Sequence, residues 1–466
     1  MGTRRHDRTP ADPGLRAGRA PGARPLAGHL PALYRSPLGF LGALPRYGDL
    51  VEVRIGRRPV FMLCHPDLVR RVLTDDRTYD REGPTYQRSR RAMGNGLATC
   101  PQAEHRTQRR LMQPAFGPDH LARYATVMRR TIGEAMDGWR HGQQVDLGGE
   151  LFALATRTAV RALFDADLPP AEGRELHEAL DAFLKGIYRQ TLLPWAAALP
   201  TPGNRRYGRA LAHWQAYTAR LVGTRRARPG TGGSGDVPKD VLSHLLSTRL
   251  PDGAPVAGDA VHDQCTALVL AGSETTASAL AWSCHLLSHH RDVAEELYAE
   301  AHGVLRGRTA TQEDLPGLPL TGRVVTEALR LYPPAWLIPR VTTVETELAG
   351  RCLPAGNMVV FSPYIIHRRG DLYPEPGRFR PGRWAEEDVP ADGPAADRNA
   401  SLRAYVPFGL GAHRCIGESF ALTEATMALA TIAARWRLQA VPGAAVRPAA
   451  RAVLAPEYLP MYLYAR

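Results

Sequence analysis

A mainly helical fold with a minor β-sheet region is what this 466-residue sequence predicts. Three observations carry the prediction. Helical periodicity runs almost without interruption from Glu104 to about Leu250 and resumes from about Asp259 to Arg330. Period-two alternation is confined to short runs, of which Asp49–Ile55 and Pro59–Cys64 are the clearest. The breaks between periodic stretches are proline and glycine pairs of the kind that start and stop helices. With 44% hydrophobic and 23% charged residues the chain can build a large core, which excludes a collagen, a disulfide miniprotein or a disordered polymer.

Taken in order, residues 1–25 read as a disordered N-terminal tail, too polar and too rich in Pro, Gly and Arg to bury a face. Gly56-Arg57-Arg58 joins the two alternating runs into a hairpin. A short helix over Pro66–Thr74 precedes a long polar loop, Asp75–Cys100. The helical region is broken at Gly117-Pro118, Pro169-Pro170 and Pro200–Gly203, and Pro229–Asp236 has the composition of a flexible linker. Pro333-Pro334 stops the second helical series. Strand-like pieces such as Met358–Ser362 follow, then an irregular Pro/Arg-rich stretch over 374–384 and a last long helix to about Arg435.

The formal charge of +13 gives nucleic acid, anionic membranes and acidic proteins a hearing. Only Lys185 and Lys239 are lysines, a bias that reflects codon usage more than function, and residues 1–35 hold seven of the arginines against Asp7 and Asp12. The remaining excess is moderate, and no nucleic-acid partner is expected. The six cysteines, at 64, 100, 265, 284, 352 and 415, include no CxxC pair, which removes zinc and thioredoxin readings. No apolar run reaches 18 residues and none resembles a secretory signal, so a cytoplasmic protein without a membrane span is expected.

The stretch Val406–Phe420 carries the chemistry. Gly409 and Gly411 permit a tight turn with positive φ, and a helix starts directly after Cys415. The positive end of a helix dipole favours a thiolate, Gly417 leaves space where something flat can lie close, and Phe408 can cover the sulfur. A haem iron needs such a ligand. Two other readings stand beside it: a dinucleotide loop, against which Arg414 occupies the third glycine position, and a merely buried structural cysteine.

Phe408-x-x-Gly411-x-x-x-Cys415-x-Gly417 resembles the haem-binding signature of the cytochrome P450 monooxygenases. Other segments match in the family's order. Glu327-Ala-Leu-Arg330 resembles its Glu-x-x-Arg pair, with Arg383 matching the arginine on which that pair locks, although Gly382 departs from the acidic residue usual there. Ala271-Gly-Ser-Glu-Thr-Thr276 resembles the oxygen-activation groove, which makes Glu274 and Thr275 the catalytic pair that relays protons. His105 and Arg109, i and i+4 on one helix, match the propionate-binding helix, and Arg340 and His413 stand at two further propionate positions. Taken singly, each of these pairs and groups is also compatible with an ordinary solvated surface.

The resemblance implies a single domain over 26–466 holding haem b through Cys415, with Phe408, Gly409, Gly411 and Gly417 shaping its seat. It also implies insertion of oxygen from O2 into a C–H bond of a hydrophobic small molecule. The chain leaves no room for a fused reductase, so electrons are expected from an external ferredoxin and ferredoxin reductase. Arg106, Arg109, Arg110 and Arg414 would form the docking face, unless they bind propionates or face water. Pocket walls are expected from Tyr86–Met93, Phe183–Tyr188, Leu268, Ala271, Ala335–Leu337 and Tyr458-Leu459. Gly186–Arg189 and Pro202–Arg206 resemble bacterial terpene hydroxylases, which ranks a terpene before a polyketide or macrolide and a fatty acid last. A haem-thiolate activity without dioxygen activation is the alternative that the Glu274-Thr275 pair argues against.

Overall fold

The computed structural model describes residues 14–192, 199–227, 240–250, 252–385 and 395–466. The expected linker at 229–236 and residues 1–13 of the expected tail lie outside them. Helices dominate, and prolines open many of them, as at Pro66, Pro118, Pro170, Pro202 and Pro319. A missing N–H is no loss in a first turn, and proline's fixed φ suits it.

The long helix Gly258–His289 is the axis of the fold. It is apolar nearly all round because it is wrapped on every side. Helix Leu147–Phe164 lies along one side and helix Glu418–Arg435, which follows Cys415, lies along another. Near its end, Trp282 stacks on Tyr332 with ring centroids 3.8 Å apart and donates its indole N–H to the Leu454 carbonyl at 3.1 Å. Helix Pro319–Leu331 packs between these elements and carries Glu327 and Arg330 into the interior.

The minor sheet has six strands. Their order is Ala17–Arg19, Leu50–Ile55, Arg58–Leu63, Met358–Phe361, Ile338–Thr342 and Tyr79–Asp80. The expected hairpin is there, with Leu50 opposite Leu63 and Ile55 opposite Arg58. A smaller sheet joins Trp436–Ala440, Pro460–Ala465 and Gln143–Asp146.

Two expectations need correction. The disordered tail cannot extend to residue 25, because Ala17–Arg19 pairs in parallel with Leu50–Glu52 and Ala20 is buried. Edge pairing needs only backbone groups, so a segment poor in apolar side chains can still order. The loop Asp75–Cys100 contains a helix, Pro84–Met93, between Gly83 and Gly94 at φ 87° and 77°. Its arginine-rich surface lacks an apolar stripe, so periodicity was silent, while Pro at its start and Gly just past its end were the available signal.

Candidate haem-thiolate site

The cysteine turn is built by its backbone. The Cys415 N–H donates to the Phe408 carbonyl at 2.8 Å, and Gly409 and Gly411 take φ values of 73° and 68°. A Cβ at Gly411 would stand 2.5 Å from the Leu73 carbonyl oxygen, so glycine is required there twice over. Gly417 differs. A Cβ there would meet nothing closer than Cys415 Sγ and Phe116, both at 4.0 Å, so the protein alone does not demand glycine. The space it spares lies beside the sulfur, which suits a flat ligand.

Cys415 opens onto a cavity of about 370 Å³ that reaches the long helix at Ala267, Leu268, Ala271, Gly272 and Thr275. Burial pushes the Cys415 thiol above its ordinary value, against the Gly417 N–H and the positive charges of Arg109 and Arg81 that pull it down. The dipole alone, as the sequence suggested, therefore does not set the thiolate. A bound cation would, because metal ligation takes the thiolate directly.

The cavity's other end is cationic. His105 and His413 touch with ring centroids 3.9 Å apart, and both ring nitrogens of His413 are buried without a partner. Burial, then the neighbouring Arg81, lowers His105 to about 4 and His413 to about 2. Arg340 donates to the Tyr86 hydroxyl at 3.1 Å, and Arg109 donates to the Arg414 carbonyl. Arg81, which sequence reasoning missed, lines the same wall, and its Nε is buried without a partner. Among the described residues none of these three guanidiniums forms an ion pair with a carboxylate. Buried cations without counter-charge are costly, so the wall fits a ligand carrying carboxylates. Cys415, the open flank at Gly417 and this cationic wall together match haem b with its two propionates.

The expected catalytic pair is split. Thr275 lines the cavity and donates its hydroxyl to the Ala271 carbonyl at 2.6 Å. Glu274 is enclosed beside Asp181 and Arg451, which are joined to each other at 3.0 Å. Burial and the Asp181 charge raise its carboxyl to about 7, against the pull of Arg451.

Behind the cysteine turn, Glu327 accepts from Arg330 Nε and Nη2, both at 2.8 Å, and from Arg383 Nε at 2.9 Å. It also accepts from the Trp384 indole at 2.9 Å and the Arg380 N–H at 3.0 Å. His367 accepts the Val406 N–H at 3.0 Å and faces the Arg330 carbonyl, so this lock reaches the first residue of the turn.

The expected pocket wall is only partly realised. Leu268, Ala271 and Ala335 line the cavity. Trp336 turns away to donate to the Arg451 carbonyl, Leu459 is in the main core, and Tyr458 is exposed. Phe183 stacks on Tyr207, while the side chains of Ile187 and Tyr188 fall outside the described residues.

The family model described as Cytochrome P450 matches residues 20–463. A cyclooctatin synthase of Streptomyces melanosporofaciens is 43% identical over 92% of this chain and 91% of its own. A pentalenene oxygenase of Streptomyces avermitilis is 42% identical over 97% of this chain and 98% of its own. A cyclooctat-9-en-7-ol 5-monooxygenase of Streptomyces melanosporofaciens is also 42% identical, over 91% and 90%. Among solved structures, a cytochrome P450 haem domain superposes with a TM-score of 0.83 at 24% identity, covering 97% of this chain and 98% of that one, which speaks for the fold. A motif of this form, a cavity that fits haem and a match along nearly the whole sequence converge, and the chain belongs to the cytochrome P450 family of haem-thiolate oxidoreductases.

Proposed function

We propose that this protein is a monooxygenase that hydroxylates, or oxidises further, a C–H bond of a terpene. The observation that carries the reading is the set of relatives at 42–43% identity, whose names point to terpene skeletons. The cavity supports it, because its lining from the long helix is uncharged and mainly apolar, with Ala267, Leu268, Ala271, Gly272 and Ala279 beside Gln264, Thr275 and Thr276. Such a surface holds a hydrocarbon by exclusion of water, and the long helix offers a charged substrate no ion partner.

In this reading Cys415 holds the iron of haem b, and His105, Arg109, Arg340 and His413 hold its propionates. When bound, the haem supplies the activation of dioxygen. The rest is done by the chain. The Gly417 N–H hydrogen-bonds the sulfur and tempers its electron donation. Phe408, Gly409 and Gly411 fix the approach of the turn. Thr275 presents a hydroxyl at the cavity wall, and Glu274 beside it stores a proton near neutrality.

Electrons come from a ferredoxin and its reductase in the cytoplasm. Arg106 and Arg110 remain exposed on the helix that carries His105, where an acidic partner would meet them, whereas Arg414 is tied to Glu418 at 2.6 Å and Arg109 turns inward. Among the described residues no helix is long and apolar enough to cross a membrane, in keeping with a soluble donor.

Reduction with dithionite under carbon monoxide is the first test, and a strongly red-shifted Soret band is expected. Turnover of polycyclic terpene hydrocarbons with ferredoxin, reductase and isotopically heavy O2 should then give a product carrying one heavy oxygen. A thiolate-type spectrum with oxidation of macrolides only would move the substrate class, and turnover with peroxide only would remove dioxygen activation. Thr275→Ala should consume oxygen while losing most product to peroxide, whereas full coupling in that variant would take Thr275 out of the proton path.

A further inference from the structure

A second cavity lies at the far ends of the two helices that border the haem cavity. It encloses about 320 Å³ and shares no lining residue with the first. Its walls are the end of the long helix, the helix Arg291–Leu305, the last turns of Glu418–Arg435 and the strand Trp436–Ala440. Along Glu418–Arg435, Ala421 lines the haem cavity and Ile432 lines this one. At 1.5 Å per residue, roughly 16 Å of helix separates the two.

Floor and rim differ in character. Leu287, Leu429 and Ile432 are buried and form the floor, with Trp436 and Leu438 half-buried beside them. At the rim three arginines, Arg291, Arg437 and Arg466, stand against one carboxylate, Glu295. Arg466 donates to both oxygens of Glu295, each at 3.0 Å. That bond, with the added charges of Arg437 and Arg291, holds the Glu295 carboxyl below its ordinary range. All three cations thus converge on an acid that one of them already engages. Arg437 lies over the ring of Tyr464 at 5.1 Å, and among the described residues neither it nor Arg291 forms an ion pair. The helix start at Arg291 adds to the positive field, since His290 gives it no side-chain cap. Asp292 of the same turn lines a different groove, with Glu375 and Arg378.

We infer that this groove is a binding site for an amphiphilic anion, a hydrocarbon chain that ends in a carboxylate or a phosphate. The chain lies on the apolar floor, and Arg437 and Arg291 receive the head. A neutral hydrocarbon would cover the floor and leave the rim charges unanswered, whereas a free anion would meet the rim and leave the floor wet. A molecule with both parts satisfies both walls. The volume stands near the lower end of the roughly 300–1,000 Å³ usual for small-molecule sites, which suits a single chain better than a polycycle. The assignment is independent of the substrate proposed for the haem cavity.

The experiment uses purified holoprotein saturated with an azole that ligates the haem and fills its cavity. Dodecanoate and geranyl phosphate, each below its micelle-forming concentration, are titrated by calorimetry beside dodecanol and inorganic phosphate. At least one of the two amphiphiles should bind once per chain without disturbing the Soret band of the azole complex. It should bind at least about tenfold more tightly than dodecanol or phosphate, the effect of adding one charge-assisted contact or one buried chain. The tighter of the two identifies the head as carboxylate or phosphate. The double variant Arg291→Ala, Arg437→Ala should weaken binding at least about tenfold and keep the wild-type carbon monoxide spectrum. Should that variant not accumulate, Arg437→Gln alone, and wild type at high salt, should each weaken binding as well. Absence of binding, equal binding of dodecanol, wild-type affinity in the variants, or loss of binding in the azole complex overturns the inference. So does a dimer in sedimentation that excludes the amphiphile, which would give the groove to a second copy of the chain.

Discussion

Two clusters of buried arginine sit on either side of the cysteine turn, and they are finished differently. At Glu327 the charges close on themselves. Arg330 spends all five N–H donors, two on the carboxylate and three on the carbonyls of His367, Pro376 and Arg378. At the cavity end, Arg81, Arg109, Arg340, His105 and His413 gather with no carboxylate paired to any guanidinium among the described residues, and donors are left over. The first cluster is complete as protein and serves the fold. The second is complete only with a ligand, and its deficit describes that ligand as an anion with more than one acceptor oxygen. Buried cations alone therefore do not mark a site; the donors left unspent do.

The sharpest way to break this contrast is to unfinish the closed cluster. Glu327→Gln removes the charge that balances Arg330 and Arg383 while keeping its shape. Taking one partner from a buried ion pair costs about 3–5 kcal/mol, a large fraction of a domain's stability. Little folded, haem-loaded protein should be recovered, and urea denaturation of what remains should show a midpoint far below wild type. A midpoint like the wild type's would mean that the lock contributes little.

The open cluster should respond with the opposite sign. Arg340→Met removes a cation that is 3% exposed and repelled by Arg81. The haem-free form should be no less stable than wild type, or more stable by about 1 kcal/mol, while haem is released several-fold faster. Denaturation with and without haem gives both numbers on one sample. Destabilisation of both forms alike would reassign Arg340 to the fold.

The sequence made the closed cluster more legible than the open one, for a physical reason. Glu327 and Arg330 are three apart on one helix, and Cys415 lies in a turn whose glycines are forced by φ and by the Leu73 carbonyl, so local spacing carries both. Arg81 follows a two-residue strand in a segment without periodicity and meets His413 only because the chain returns 332 residues later. No spacing rule reaches that far. The helix Pro84–Met93 was hidden for the related reason that it has no apolar stripe. Trp336 and Leu459 were assigned to the pocket by position in the chain, but an apolar side chain can serve core or cavity equally well, and packing decided for the core.

His367 links the closed cluster to the start of the cysteine turn and offers a gentler test. Burial and the adjacent Arg330 lower it to about 3, so it is neutral while accepting the Val406 N–H. In the unfolded chain it takes a proton near pH 6.5. Its contribution is thus fully present above about pH 6.5 and is lost as pH falls toward 3, with a slope of about 1.4 kcal/mol per pH unit. His367→Asn should flatten the acid limb of stability by about that slope. An unchanged limb would assign acid lability to the histidines of the open cluster, His105 and His413.

Glu274 lies between the two cases, a half-buried acid whose neighbours compensate it only in part. Burial and Asp181 raise it to about 7, and Arg451, engaged with Asp181 at 3.0 Å, draws it back. A proton donor works from its protonated form, so product formed per oxygen consumed should fall as pH rises through about 7, and Glu274→Gln should lose that limb together with most of the coupling. Asp181→Asn is the smaller and more telling change. It removes the like charge that raises Glu274 and releases Arg451 from one of its two carboxylates, the other being Glu457 at 3.4 Å, and both effects favour the carboxylate. The limb should therefore move to lower pH, by less than about one unit, with the spectrum of the resting enzyme unchanged. A limb that stays in place would mean that Glu274 is not the group that titrates, whereas a shift to higher pH would mean that Asp181 and Arg451 do not govern the field at that acid.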